Sequence, residues 1–369
     1  MPLHSIRVLD LSRLLPGPFC TMILADFGAE VIKIEEPKLG DYARFYEPKV
    51  DEYGAMFHSL NRNKKSVTLN LKDEEGKQKF LQLVKDADVL VESFRPGVME
   101  RLGLNYEILK ELNPRLIYCA ITGYGQTGPY AKLPGHDINF ISYTGLLHLM
   151  GERDGKPLVP AVQVGDIGGG AYPAVVGILL ALQEREKSGE GQFVDISMLD
   201  GVLSWLQATL PNYLMSGEEV QRGEQMLSGS LACYEVYQTK DRRWLSVGAL
   251  EPKFWQTFCE TIGKLDFIEK LNAPIDEQYR MKHEIQSIIF TKNLDEWMEL
   301  FKNVEACVSP VLDFSEVVEH PQVQAREMIL EKHNQKYIGI PIKLSRTPGA
   351  IKTKAPNLGE HNDEFFKNE

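Results

Sequence analysis

The sequence has little of several features that define common classes of protein. Five cysteines are spread along 369 residues with no C-x-x-C pair, so we expect neither a disulfide framework nor a zinc site. No run of 18 or more apolar residues and no signal-peptide segment is present, which predicts a cytoplasmic protein that does not bind membranes. We interpret the cysteines as buried small apolar residues: Cys20, Cys119, Cys233, Cys259 and Cys307.

Positive charge is also scarce. Lysine and arginine number 41 against 52 acidic residues, which gives a net charge of −11. Nucleic acid is therefore not an expected partner, because neutralising phosphates requires clustered cations. An anionic small ligand would need a local basic pocket. The 43% hydrophobic and 25% charged composition is typical of a globular protein, and the length allows two domains.

Strand and helix signals alternate along the first part of the chain, as in α/β proteins. The turn after the first strand lacks G-x-G-x-x-G, which argues against a dinucleotide-dependent dehydrogenase. A polar stretch over 211–230 predicts a linker between a large domain, 1–210, and a smaller α+β domain, 231–319. The tail over 320–369 is expected to return to the large domain. Strands are predicted over 6–11, 30–35, 66–71, 88–91, 115–120 and 192–196.

Two segments each place a possible proton carrier at a predicted helix entry. Gly135-His136-Asp137-Ile138-Asn139 contains His136, and Val164-Gly165-Asp166-Ile167-Gly168-Gly169-Gly170 contains Asp166. Backbone N–H groups at a helix N-terminus favour negative charge, so a base there could act beside a stabiliser of the enolate that it creates. The residues alone leave structural alternatives open. Asp137 or Asp166 could be helix N-caps, and the glycines could only permit close helix packing.

Further charged residues are candidates for ligand contacts. Glu251 precedes Pro252 between a predicted strand and helix, and alone it suggests an acid that favours the helix dipole. Lys64 and Lys65 are expected on a solvated surface. Arg95 follows the carboxyl end of a strand, where ligands of open α/β sheets bind, and it could pair with a phosphate.

Across these motifs the sequence resembles the family III CoA-transferase superfamily, and within it the α-methylacyl-CoA racemase branch. The resemblance runs from Arg13-Leu14-Leu15-Pro16-Gly17-Pro18, through Glu92-Ser93-Phe94-Arg95-Pro96-Gly97-Val98, to Leu358-Gly359-Glu360-His361. It implies that His136, Asp166 and Glu251 are catalytic. The implied CoA or substrate contacts are Lys72, Ser93, Phe94, Arg95, Arg101, Gly135, Asp137, Ile138 and Asn139.

The resemblance also implies an architecture and an assembly. A doubly wound α/β large domain, completed by the C-terminal tail, would accompany the smaller domain. Two chains would form an interlocked homodimer in which Glu251 of one subunit reaches His136 of the other. Where many relatives carry an arginine that meets nucleotide phosphates, this chain has Glu36. Lys33 or Lys38 is expected to substitute for it.

The resulting hypothesis is a racemase or epimerase of 2-methylacyl-CoA thioesters in fatty acid metabolism. His136 and Asp166 would exchange the α-proton on opposite faces, and backbone N–H groups, that of Asp166 included, would hold the enolate oxygen. No metal or redox cofactor is implied, since CoA enters with the substrate. The alternative is a CoA-transferase in which Asp166 forms an acyl-enzyme anhydride. A non-catalytic acyl-CoA-binding protein is the third possibility.

Overall fold

In the computed structural model, which describes residues 1–366, a six-stranded parallel sheet organises the N-terminal half of the chain. The spatial order of its strands is β3-β2-β1-β4-β5-β6. The chain builds one half of the sheet outward from β1 and then returns to build the other half. The predicted doubly wound α/β fold is therefore confirmed, with its topological switch point between β1 and β4. The strands are β1 (Arg7–Asp10), β2 (Glu30–Glu35), β3 (Lys64–Thr68), β4 (Val89–Glu92), β5 (Ile117–Thr122) and β6 (Phe193–Ser197).

Helices cover both faces of this sheet, because its central strands are buried on both sides. Asp73 caps one of them, as its position predicts, by accepting the Gly76 N–H at 2.7 Å. The main helices of this part of the chain are α1 (Pro16–Asp26), α2 (Glu74–Lys85), α3 (Asp137–Tyr143), α4 (Tyr172–Ser188) and α5 (Met198–Ser204). Other helical segments span Tyr42–Phe45, Ala55–Leu60, Val98–Leu102, Tyr106–Leu112 and Leu146–Leu149, and a two-stranded hairpin joins Lys49–Val50 to Tyr53–Gly54.

The last described segment covers the open edge of the sheet at β3. The backbone N–H of His361 donates to the carbonyl of Ser66 at 2.9 Å, and the Ser66 N–H donates to Nδ1 of His361 at 3.2 Å. Asn362 accepts the Thr68 N–H at 2.8 Å and caps the same strand further along. These bonds occupy edge groups that would otherwise be free to pair with another chain.

The chain divides into two compact units. The first contains Met1–Leu146, Pro160–Trp205 and the residues from Pro321 onward. The second contains Leu147–Val159 and Leu206–His320, so the stretch 211–230, predicted as a linker, lies within it. In the first unit the C-terminal part adds the antiparallel strands Ile329–Lys332 and Gln335–Ile338 and the short helices Pro321–Ala325 and Asn362–Phe365.

The second unit combines a three-stranded antiparallel sheet with several helices. Trp255 and Phe258 of one helix stack in its core beside Phe301. Its strands are β7 (Tyr234–Gln238), β8 (Trp244–Gly248) and β9 (Val308–Pro310), and its main helices are α6 (Pro252–Ile262), α7 (Ile275–Ile289) and α8 (Leu294–Phe301). The other helical segments of this unit include Leu206–Ala208, Leu210–Ser216, Leu265–Lys270 and Phe314–Glu319.

Two details qualify the compositional predictions. Val164–Ser188 is long and apolar enough to cross a membrane by length and composition, and half of its most apolar window is buried inside the structure. All five cysteines are free thiols, and four are buried as predicted. The prediction is wrong for Cys307, which is exposed.

Candidate active site

His136 is the N-cap of α3, the residue directly before the first helical residue. Its backbone lies in the extended region, and its N–H donates to Oδ1 of Asn139 at 3.0 Å. The Asn139 N–H in turn donates to the carbonyl of His136 at 2.8 Å. This reciprocal cap leaves the histidine exposed at the helix entry. Asp137 is consequently the first helical residue, and its interpretation as the N-cap is wrong.

Asp166 lies in a π-helical segment, Val164–Ala171, that leads directly into α4. Such wide turns occur frequently at functional sites. The N-cap position belongs to Gln163, so Asp166 is not the cap. The glycines that follow do permit close packing: a Cβ on Gly169 would lie 2.4 Å from the carbonyl oxygen of Met198 in α5.

The Asp137 carboxylate joins these two segments. Its Oδ1 accepts the N–H of Gly165 at 2.6 Å and the N–H of Asp166 at 3.0 Å. His136 and Asp166, which are separated by 30 positions in the sequence, therefore lie on backbone segments that are in direct contact. The expectation that the Asp166 N–H holds an enolate oxygen is not met, because this donor is already engaged by Asp137.

Two other backbone N–H groups near His136 have no hydrogen-bond acceptor in the described part of the chain. Residues in the first turn of a helix have no intrahelical acceptor for their N–H groups. Within the described residues, the N–H groups of Asp137 and Ile138 donate no hydrogen bond. They lie directly after His136 in the chain.

The Asp166 carboxyl group has an unusual affinity for its proton. Burial, and next to it the negative charge of Asp137, raises the pKa of Asp166 to about 7. Near neutral pH the group therefore exchanges readily between acid and carboxylate, as a general acid or base requires.

The loops after β1 and β4 meet at the topological switch point. The backbone N–H of Arg13 donates to Oγ of Ser93 at 3.2 Å, and its guanidinium carbon lies 5.3 Å from the centre of the Phe94 ring. The same guanidinium lies 5.2 Å from the centre of the Tyr42 ring and donates to the Tyr42 hydroxyl at 3.0 Å. Arg95 is exposed on this loop. Sequence reasoning missed Arg13 as a site residue, although its position directly after the first strand was a usable signal.

A cluster of buried charges lies beneath the Arg13 loop. Lys64 is almost fully buried, with Nζ 3.0 Å from Oδ2 of Asp10, so its predicted surface position is wrong. Lys33 is also buried, and its Nζ lies 2.9 Å from Oδ2 of Asp41 and 2.9 Å from the carbonyl of Ser12. Lys33 is therefore not available to replace the arginine that many relatives carry where this chain has Glu36. The expected substitution by Lys33 is wrong.

Lys65 and Glu36 make contacts of their own. Lys65 is half-buried and pairs with Glu30 and Glu364. The carboxylate of Glu36 accepts the backbone N–H groups of Lys38 and Leu39, at 3.1 and 2.8 Å. Glu36 therefore caps its own turn.

The remaining predicted site residues are distributed as follows. Gly135 is half-buried, and Ile138 and Asn139 are exposed in the first turn of α3 beside His136. Lys72 and Arg101 are exposed, on the loop before α2 and on the helix Val98–Leu102. Glu251 lies in the second unit, where it is the N-cap of α6.

Comparisons with known proteins agree with the resemblance seen in the sequence. Residues 3–362 match the family model described as CoA-transferase family III. The chain is 36% identical to alpha-methylacyl-CoA racemase of Homo sapiens over 371 residues, covering 100% of this chain and 93% of that protein. It is also 36% identical to acetyl-CoA:oxalate CoA-transferase of Acetobacter aceti over 365 residues, covering 95% and 92%.

A solved structure shares the fold of this chain. The crystal structure of a CaiB/BaiF family protein from Brucella suis superposes with a TM-score of 0.88 at 31% identity, covering 99% of this chain and 98% of that one. The fold and the sequence matches extend over nearly the whole chain. The chain belongs to CoA-transferase family III and is an enzyme of that family, either a racemase or a CoA-transferase.

Proposed function

We propose that the enzyme is a racemase or epimerase of 2-methylacyl-CoA thioesters. One observation carries the proposal: the Asp137 carboxylate holds the segment of Asp166 against the helix entry of His136. Inverting a carbon centre requires two proton carriers at one site, since one group removes the proton and the other returns it on the opposite face. His136 and Asp166 are two such groups on adjoining segments.

The proposed reaction passes through an enolate. Neutral His136 takes the α-proton from one face, and the electron pair of the broken C–H bond moves onto the thioester oxygen. Open N–H groups at the entry of α3 stabilise this oxygen; one such donor is typically worth roughly 3–4 kcal/mol. The uncharged Asp166 carboxyl then gives its proton to the opposite face, and the reverse reaction uses the same pair. This chemistry needs no metal or redox cofactor.

The CoA part of the substrate would lie at the switch point between β1 and β4. Ligands of doubly wound sheets bind in this crevice, beyond the carboxyl ends of the strands. Arg13, held over the Phe94 and Tyr42 rings, and the exposed Arg95 and Arg101 are the cations that we propose for its phosphates. Arg13 would supply the positive charge that many relatives obtain from an arginine at the position of Glu36.

The direct test is deuterium uptake at the α-carbon of 2-methylacyl-CoA esters in heavy water, with no acceptor acid present. Exchange and loss of optical activity are expected. His136→Ala should lower both by roughly 10²–10⁴-fold, whereas His4→Ala, a change at an exposed histidine near the start of the chain, should leave them unchanged. Full racemase activity in His136→Ala would contradict the assignment.

The competing activity is CoA transfer, which the similarity to acetyl-CoA:oxalate CoA-transferase supports. In that reaction the Asp166 carboxylate attacks the thioester carbonyl, displaces CoA as its thiolate and forms an acyl-aspartyl anhydride. Hydroxylamine would then capture the acyl group from Asp166. Transfer to a carboxylic acid acceptor without α-exchange would replace the racemase proposal with this one.

We also propose that the enzyme works as an interlocked homodimer in the cytoplasm, where free thiols such as its five cysteines persist. Glu251 of one subunit would orient His136 of the other and stabilise its charged form. Co-expression of His136→Ala and Glu251→Ala chains tests this assembly. A mixed dimer would contain one intact and one doubly altered site, so activity should reappear. No recovery in purified mixed dimers would contradict the shared site.

A further inference from the structure

The Asp137 carboxylate binds backbone groups of the protein itself. It is half-buried in the first turn of α3, and one carboxylate oxygen accepts two consecutive backbone N–H groups from another element, at 2.6 and 3.0 Å. A carboxylate oxygen that accepts two N–H groups is held in one place. The side chain therefore connects the backbones of the two segments that carry His136 and Asp166.

Gly165 makes this connection possible. A Cβ at position 165 would lie 3.0 Å from Oδ1 of Asp137 and 3.5 Å from both the Asp137 carbonyl oxygen and Cβ of Phe140. The first distance is shorter than ordinary contact, so a side chain at this position would push the carboxylate away from the N–H groups that it accepts.

The electrostatic surroundings of Asp166 point to the same residue. After burial, Asp137 is the charged group that raises the pKa of Asp166, and no cation in the described chain offsets it. The elements packed against the Val164–Ala171 segment carry other charges that do not cause this pKa shift: Asp26 of α1, Glu184, Arg185, Glu186 and Lys187 of α4, Asp195 of β6 and Asp200 of α5. Asp137 is the charge that acts on Asp166.

We propose that Asp137 is a positioning residue for the α-proton transfer, one that fixes Asp166 beside His136 and disfavours a second negative charge on Asp166. This role rests on the proposed function, and it differs from the substrate contact that the sequence resemblance implies for Asp137. Its consequence is chemical: with the carboxylate of Asp137 in place, a substantial fraction of Asp166 keeps its proton near neutral pH and can act as the proton donor.

Two substitutions separate the geometric and electrostatic parts of this role. Asp137→Asn keeps an oxygen that can accept the two N–H groups but removes the charge. Asp137→Ala removes both. Asp73→Asn is the matched control, because Asp73 likewise accepts a backbone N–H, that of Gly76, but on a helix that does not contain either proton carrier.

The first measurement is the pH dependence of α-proton exchange. In Asp137→Asn the limb governed by Asp166 should move to lower pH by about one unit, because a like charge has been removed. Asp137→Ala should show the same shift together with a roughly 10- to 100-fold lower maximal rate, since misplacing a reacting group by about 1 Å costs this much. Asp73→Asn should match the wild type. A merely structural role would lower stability without moving the profile.

The second measurement does not depend on activity. In protein labelled with ¹³C at aspartate carboxyls, the Asp166 signal is identified by its loss in Asp166→Asn, and its midpoint is followed with pH. The midpoint should fall in Asp137→Asn and in Gly165→Ala, and should stay unchanged in Asp73→Asn. An unchanged midpoint in Asp137→Asn would overturn the role of Asp137. Absence of exchange in the wild type would instead contradict the proposed racemase, so the two failures are distinguishable.

Discussion

Two groups of charges in the first unit follow opposite rules. Beneath the loop after β1, buried carboxylates and ammonium groups alternate: Asp10 with Lys64, and Asp41 with Lys33. Burial alone would raise the pKa of Asp10, but Lys64, Lys33 and two hydroxyls outweigh it and hold that pKa below its usual range. At the candidate site, Asp137 and Asp166 are two carboxylates without an offsetting cation. Alternating charges hold a backbone in place, whereas adjacent like charges prepare a group to change its protonation state.

The same chemical change, carboxylate to amide, should have opposite effects in the two groups, and its largest effect is on activity at the candidate site. Asp166→Asn should lower racemisation by roughly 10²–10⁴-fold. The stability of the folded protein should not fall. In the folded wild type the Asp166 carboxyl has a pKa of about 7 instead of its ordinary 3.8, so the wild type loses stability as the pH rises between these two values. The amide does not ionise. Unfolding by denaturant at pH 5 and pH 8, beside the exchange assay, checks both parts; lower stability at pH 8 would contradict the comparison.

In the charge cluster the effect should be on folding. Asp10→Asn leaves Lys64 and Lys33 buried without their full complement of negative charge, and breaking a buried pair typically costs about 3–5 kcal/mol. Lys65→Ala is the control, because Lys65 neighbours Lys64 on β3 and its ion pairs are partly exposed, so it should cost under about 1 kcal/mol. Equilibrium unfolding in urea measures both. Equal losses would mean that burial does not distinguish the two lysines.

The loop that carries Arg13 lies over this charge cluster, and we expect it to contribute to ligand binding. Arg13→Ala should raise the KM for acyl-CoA by about 10-fold or more, since a charge-assisted hydrogen bond contributes roughly 1.5–3 kcal/mol. The kcat should change less. Lys38→Ala, at the second of the two lysines expected to substitute for the missing arginine, should change KM little, because the side chain is exposed on a turn closed by Glu36. Initial rates over a range of substrate concentrations decide between the two cations.

Glu92 offers the smallest and most specific test, because it is a buried carboxyl that forms no ion pair in the described part of the chain. Burial raises its pKa to about 8, and the charges of Glu100 and Asp195 add to this, although its carboxylate accepts the Phe94 N–H at 2.6 Å. A raised acid pKa means that the fold loses stability as pH increases from 4.5 to 8. Glu92→Gln should remove at least about 1.4 kcal/mol of that loss, the equivalent of one pKa unit. Parallel stability curves for both proteins between pH 5 and 9 would contradict it.

The fold was accessible from the sequence because its signals are local. Half of the residues of the buried strand β2 are β-branched, and the Asp73 cap lies three positions from the N–H that it accepts. Lys64 was misread because a charged residue at a strand start suggests solvent. The partner that permits its burial, Asp10, is 54 positions away in the chain.

The candidate site was predictable in its composition but not in its connections. The residue types and the helix entries marked His136 and Asp166 as possible proton carriers. The role of Asp137 depends on contacts with residues 28 and 29 positions further on. No local pattern indicates such contacts, and the same aspartate is equally compatible with capping its own helix.

The covered edge of the sheet has a consequence for how the protein is made. The first unit takes its final part from the end of the chain, where His361 and Asn362 bond to β3. All six strands of the sheet leave the ribosome before these residues do, and the whole of Leu206–His320 is synthesised in between. The sheet therefore remains with its β3 edge uncovered while the second unit is synthesised, and His361 and Asn362 can close that edge only afterwards.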